Sequence, residues 1–197
     1  MPTNPSNKVK YNLKNVHWAK VTLSDTMAPT FGTIHPWPGA VSMALDAEGD
    51  PTVFWADGIQ YFVLGNNNGY SGDFESAMIP DDFRSEILGD VKDNKDVLLE
   101  DADAQSVHFA LLFEFDGDVK KIRHVLYNCV ATRPSIESQT KEEEVEVQTE
   151  TVEITAAPVY ISAIEKYIVK AKTGDSTDTT TYEGWYESVY TPSGLPA

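Results

Sequence analysis

Val107-His108-Phe109-Ala110-Leu111-Leu112-Phe113-Glu114-Phe115 carries the clearest pattern in the chain. Its odd positions are all apolar, while its even positions include His108 and Glu114. That is the period of two expected of a half-buried β-strand. Asp116-Gly117-Asp118 follows with turn chemistry, and a second apolar run, Ile122 to Val130, returns from it. Two such runs about a short Gly-containing loop read as a β-hairpin.

Working upstream, Val41 to Leu45, Thr52 to Ala56 and Ile59 to Leu64 are further short strands. They are cut by Glu48-Gly49-Asp50-Pro51 and by Asp57-Gly58, residues that favour turns. Asn66-Asn67-Asn68-Gly69 makes another turn before Tyr70 to Ile79, a strand in which Tyr70, Gly72, Phe74, Ser76 and Met78 share one face. Only Pro80 to Leu88 reads as a helix, about Asp81 to Leu88. Pro80 stands at its start, Asp81 and Asp82 sit where the dipole favours anions, and Gly89 stops it. Gly89 to Ala104 reads as a loop, with Val97 to Leu99 adding a few strand residues.

Downstream, Ser135 to Glu144 is polar and leads into Val145 to Ala156, a Val, Thr and Ile strand. Glu144, Glu146 and Glu150 fall on one face and Val145, Val147, Thr149 and Thr151 on the other. Val152 and Ile154 break that alternation, so a bulge or a change of environment is expected near Glu150. Tyr160 to Lys172 reads as one further strand and Thr173 to Thr180 as a flexible loop. Tyr182, Trp185, Tyr186 and Tyr190 end the chain in a segment too short for its own core, so it docks on its own domain or on a neighbour. The whole reads as one mainly β domain over 1–197, an antiparallel sandwich or barrel with one short flanking helix.

The 197 residues hold 31 acids against 15 Lys and Arg, a formal net charge of −16. Such a surface repels phosphate, so ordinary DNA binding is not expected. The single cysteine, Cys129, excludes an intrachain disulfide framework. The N-terminus lacks the apolar core of a signal peptide, and no apolar run approaches a membrane span.

Catalytic signatures are missing where they would be sought. Gly69-Tyr70-Ser71-Gly72-Asp73 fails the nucleophile-elbow spacing, and Cys129 sits mid-strand with His108 and His124 in the same hairpin. His17, His35, His108 and His124 are scattered without zinc spacing. Asp46, Glu48, Asp50 and Asp57 begin like a calcium loop, but Pro51 and Asp57 stand where glycine and glutamate are needed. Asp101 and Asp103 read as a solvated acidic loop. No catalytic residue, metal site or cofactor is expected.

A series of phrases lifts the reading beyond an acidic β-rich domain. They run Asn15-Val16-His17-Trp18-Ala19, Pro38-Gly39-Ala40-Val41-Ser42, Leu45-Asp46-Ala47-Glu48-Gly49-Asp50, Phe54-Trp55-Ala56-Asp57 and Asn67-Asn68-Gly69-Tyr70-Ser71-Gly72-Asp73. Ile79-Pro80-Asp81-Asp82-Phe83-Arg84, the strand from His108 to Asp118, Arg123-His124-Val125-Leu126-Tyr127-Asn128-Cys129, Arg133-Pro134-Ser135-Ile136, Thr149-Glu150-Thr151, Ala156-Ala157-Pro158 and Trp185-Tyr186 continue it. In this order, over residues 12–190, they resemble the major tail protein (tail tube) family of bacteriophages with long non-contractile tails and Gram-positive hosts.

The resemblance implies two packed antiparallel sheets with a flanking helix, assembled as stacked hexameric rings around a lumen that conducts phage DNA. It implies a virion protein, found in the host cytoplasm during assembly. Its partners would be itself, a tape-measure protein, a tail terminator, the tail tip, and DNA in transit without specific binding. No membrane partner and no additional immunoglobulin-like domain are expected. Segments linking successive rings would be the 1–13 arm, the Asp25 to Gly39 loop or the 173–197 segment, with Trp185, Tyr186 and Tyr190 as inter-subunit aromatics. A conduit for a polyanion should present carboxylates, so Glu144, Glu146 and Glu150 are the expected lumen-facing acids. The alternative is a carbohydrate-binding or adhesion module using Trp37, Trp55 and Trp185.

Overall fold

The computed structural model describes residues 6–140 and 147–195. In chain order come β1 (Lys10–Leu23), β2 (Pro29–Pro36), β3 (Ala40–Glu48), β4 (Thr52–Ala56), β5 (Ile59–Leu64) and β6 (Gly69–Ser76). A helical turn α1 (Asp81–Phe83) runs on as a π-helical turn over Arg84–Leu88, followed by β7 (Val91–Lys92) and β8 (Leu98–Leu99). The second half holds β9 (Phe109–Gly117), β10 (Ile122–Ala131), β11 (Glu150–Ala156), β12 (Val159–Ile161), β13 (Lys166–Ile168), β14 (Lys170–Lys172) and α2 (Thr179–Glu183).

The hairpin expected around Asp116 to Asp118 is β9–β10, and it is the centre of the principal sheet, ordered β2-β1-β9-β10-β11-β6-β3. All its pairings are antiparallel, and the sheet does not close into a barrel. One edge of β10 is shared. β11 pairs with Cys129 to Ala131, and β14 takes over at His124 to Leu126. The β11-β6-β3 wing therefore diverges from the sheet at mid-strand and leaves a gap beside β14.

Burial differs from the half-buried strand that the alternation suggests, because β9 has a core on each face. Phe109, Leu111 and Phe113 join Val16, Trp18, Phe74, Val152 and Ile154 in one core. The helical turn seals that core with Phe83, Ile87 and Leu88, and Phe83 packs edge-on against both Trp18 and Phe109. Ala110 and Leu112 face a second core with Val125 and Tyr127, covered by β12 and the C-terminal segment. Glu114 lies in this doubly covered strand with none of its surface exposed.

The carboxylate of Glu114 survives burial because three donors reach it. Arg123 Nε lies at 3.0 Å, Lys121 Nζ at 3.1 Å and Asn15 Nδ2 at 3.1 Å. Asn15 is brought there by a bulge in β1, where its φ of 51° is a left-handed conformation that asparagine tolerates. A buried acid without such partners would carry a penalty of several kcal/mol.

Several segments differ from their sequence reading. Lys10 to Leu13 is not a loose arm but pairs with β9, and Asn7 accepts from Val119 and Lys120 N–H in the β9–β10 turn. The Asp25 to Gly39 stretch contains β2, whose end prolines are tolerated because it is an edge strand. Tyr160 to Lys172 is three short strands broken by a turn at Ser162 to Glu165. The supposed flexible loop ends in α2, where the Asp178 side chain accepts from Thr181 N–H as a cap. The strand expected over Val145 to Ala156 is shorter: β11 begins at Glu150 and runs without a bulge, with Val152, Ile154 and Ala156 inward, while Val147 precedes it and is exposed.

Gly72 on β6 sets how closely β3 can approach. Its φ is +148°, and a Cβ there would collide with the Ala44 carbonyl oxygen. Gly72→Ala is expected to lower unfolding free energy by about 3 kcal/mol, combining left-handed strain with displacement of β3. Gly174→Ala, where a Cβ meets nothing within 4 Å, should stay within about 0.5 kcal/mol. Denaturant melts of both variants check this, and equal losses would mean that the β3–β6 spacing is soft.

Candidate assembly surface

β3 and β6 form a long antiparallel hairpin whose distal part continues as the β4–β5 ribbon. The junction is held by Asn68 N–H donating to the Glu48 carbonyl at 2.9 Å and by Gly69 N–H donating to Asn67 Oδ1 at 3.2 Å. At the tip, Asp57 and Gly58 have φ values of 53° and 77°, as a two-residue type I′ turn requires. Among the described residues β4 and β5 pair only with each other. Every residue of β5 is exposed, and Trp55 and Phe62 on the two strands are 61% and 57% exposed. Phe54, Ile59, Tyr61, Val63 and Leu64 are exposed as well, and Asp57 is the one charge between Thr52 and Leu64. An isolated two-stranded ribbon is at best marginally stable in water, so this surface wants a cover.

The outward face of the β3-β6-β11 wing has the opposite chemistry. Its cross-strand rows are Ser42–Glu75–Thr151, Ala44–Asp73–Glu153 and Asp46–Ser71–Thr155, ending at Glu48 beside Gly69. Five carboxylates and small polar or methyl side chains make this face, with no Lys or Arg among them. Thr149 Oγ1 and Ser42 Oγ donate to Glu75 at 2.6 and 2.8 Å and hold its carboxyl below the usual range. Ser71 Oγ donates to Glu48. β3 is the terminal strand of the sheet, so the acidic face runs to an open edge.

Of the expected lumen acids, Glu144 and Glu146 lie outside the described residues. Glu150 is on the inward row of β11, opposite to the acidic face. Its Oε1 accepts from Arg84 Nη2 at 2.6 Å and its Oε2 from Ile79 N–H at 2.6 Å, tying the helical turn to the sheet. The sequence reading takes Asp46 and Glu48 only as the start of a calcium-like loop and does not single out Asp73, Glu75 and Glu153, because the five belong to three separated segments. The signal available was their alternation with Met43, Leu45, Phe74, Val152 and Ile154.

The C-terminal aromatics dock on their own domain. Trp185 is 2% exposed, stacks on Tyr190 at 5.3 Å and donates from Nε1 to the His124 carbonyl at 3.4 Å. Tyr186 lies 4.6 Å from the His17 ring and 5.2 Å from the Arg123 guanidinium, and burial pushes its phenol up. Trp37 is also buried, so of Trp37, Trp55 and Trp185 only Trp55 offers its ring to a ligand. Cys129 is wholly buried with its thiol pushed far up, which leaves it a poor nucleophile. Among the described residues no group of three His, Cys, Asp or Glu side chains is placed to hold a metal ion, and no helix is long and apolar enough to cross a membrane.

The gap beside β14 is a groove of about 190 Å³ lined by Met43, Leu45, Tyr70, Phe115 and His124, with Lys10 and Lys170 at its rim. Lys170 Nζ sits 4.2 Å from the Tyr70 ring and Lys10 Nζ 5.0 Å from Phe115. His124 stacks flat on Phe113, and its Nε2 has no partner. Burial first, then Lys10, Lys170 and Lys172, lower its pKa from 6.5 to about 4. No protein-family model matches the chain, and no curated protein matches its sequence.

The depressed His124 pKa has a definite sign. Above pH 6.5 the ring is neutral folded or unfolded and costs nothing. As pH falls from 6.5 toward about 4, the unfolded chain takes up a proton that the folded one refuses, and stability drops. Between about pH 7.5 and about pH 5 this amounts to about 2 kcal/mol. His124→Leu should remove that part of the pH dependence, read from denaturant midpoints at the two pH values. An unchanged slope would place the acid sensitivity elsewhere.

Proposed function

We propose that the chain is a structural subunit of a phage tail tube, stacking as hexameric rings into a hollow conduit for DNA. The observation that carries this reading is the acidic outer face of β3-β6-β11 running to an edge at β3 that is unpaired among the described residues. A wall that passes a polyanion has to avoid Lys and Arg, which would pin phosphates by counterion release. The order of phrases along residues 12–190 that resembles the tail protein family supports the same reading.

Open strand edges are a liability in a free subunit, and closed rings remove it by pairing each edge with a neighbour. The apolar β4–β5 ribbon is a second surface that assembly would cover. In this reading the lumen acids are Asp46, Glu48, Asp73, Glu75 and Glu153, and they replace Glu150, which is engaged by Arg84. The further partners are a tape-measure protein in the lumen, a terminator and a tail tip at the ends, and DNA in transit. The subunit needs no cofactor and performs no catalysis.

A carbohydrate-binding module has one observation in its favour, the exposed Trp55 ring on the ribbon. Phe54, Tyr61 and Phe62 are exposed on the same ribbon, but the ribbon is a projecting two-stranded element and not the concave, polar-lined cleft that orients a small ligand.

Electron microscopy of concentrated protein is expected to show hollow tubes or six-fold rings. A reconstruction should put Asp46, Asp73 and Glu153 on the inner wall. Tubes with these acids on the outside would overturn the lumen assignment, and monomers that bind glycans through Trp55 would favour the module.

A further inference from the structure

We propose that the β4–β5 ribbon of one copy inserts its Asp57-Gly58 tip into the groove between β14 and the β3–β6 wing of a second copy, with Asp57 meeting Lys10 and Lys170. This rests on the self-assembly reading and names the two surfaces that assembly joins.

Four observations make the match. The ribbon is apolar and aromatic on both faces, and the groove is lined by Met43, Leu45, Tyr70 and Phe115. Its only charge is the acid at its tip, while the rim of the groove carries Lys10 and Lys170, two exposed cations that make no ion pair among the described residues. In a chain of net charge −16 an unneutralised pair of lysines about an apolar opening selects an acidic partner. The groove, about 190 Å³, falls below the usual small-molecule range of about 300–1,000 Å³ and suits a turn with one or two side chains.

The alternatives fit less well. Strands of five and six residues reach about 17–20 Å, short of the roughly 9–11 residues a strand needs to cross a bilayer, and the net negative charge opposes anionic lipid. Ribbon and groove are different surfaces of one chain, so the contact is heterologous and propagates from copy to copy. β11 pairs β10 only over Cys129 to Ala131 and β14 pairs it at His124 to Leu126, and the groove lies where these two pairings part.

The test uses full-length protein, one batch labelled with heavy nitrogen and one not, mixed before assembly. Zero-length carbodiimide coupling followed by mass spectrometry should join Asp57 to Lys10 or Lys170 in peptides carrying one label on each side. Asp57→Lys, and separately Lys10→Glu with Lys170→Glu, should each raise the concentration needed for assembly by about tenfold or more. Mixing the two variants should restore assembly toward wild type while melting temperatures stay unchanged. Tubes that form without this cross-link and tolerate both variants overturn the docking and leave the tail-tube reading standing. Wild-type protein that never assembles overturns both. Cross-links confined to one label would mean that the ribbon folds back on its own groove, and loss of phosphatidylcholine vesicle binding on Trp55→Ser without any cross-link would mean a membrane partner; either result overturns the proposal.

Discussion

Phe109, Leu111 and Phe113 face one core while Ala110 and Leu112 face the other, and most of the molecule is arranged around that double burial. A strand covered on both sides cannot send its polar positions to solvent. Glu114 is the residue that shows the consequence. It is sequestered, and Arg123, Lys121 and Asn15 are drawn in from the next strand, the turn and the β1 bulge. Arg123 extends the constraint to the C-terminus, where its guanidinium lies 4.0 Å from the Tyr182 ring and donates to the Tyr182 carbonyl. The final segment is thus held onto the second core by charge as well as by Trp185.

The same central hairpin explains the asymmetry of the surface. β10 has one outer edge to share, and two strands share it. Where β14 binds, the wing of β11, β6 and β3 must swing away, and a groove opens between two apolar layers. The wing is left with one face on the core and one in water, and its strands alternate accordingly. Its far end has nothing to pack on, so β4 and β5 leave the sheet as a bare ribbon. Groove, acidic face and ribbon are three results of one branching in the sheet.

In the proposed reading these three surfaces serve contact between copies. The one free thiol is buried, and the carboxylates that cluster do so on an open sheet face instead of in a cleft. An open sheet edge and an exposed apolar ribbon are features that pairing with another strand or surface would cover.

Local elements are legible along the chain. Alternation placed the β9–β10 hairpin, Asp57-Gly58 placed the ribbon's turn, and Pro80 with Gly89 bounded the helical turn, because each of these depends on neighbours in the chain. Cross-strand placement depends on partners far away in sequence. No reading of β11 alone could show that Glu150 meets Arg84, that Glu153 lies beside Asp73, or that Glu114 is buried. The Tyr160 to Lys172 strand and the Asp25 to Gly39 loop were misread for the same reason. Short or Pro-bounded strands gain stability only from the sheet they join. Which acids share a face and which aromatics stay in water follows from the packing of distant strands, since burial belongs to the packed chain and not to any one segment of it.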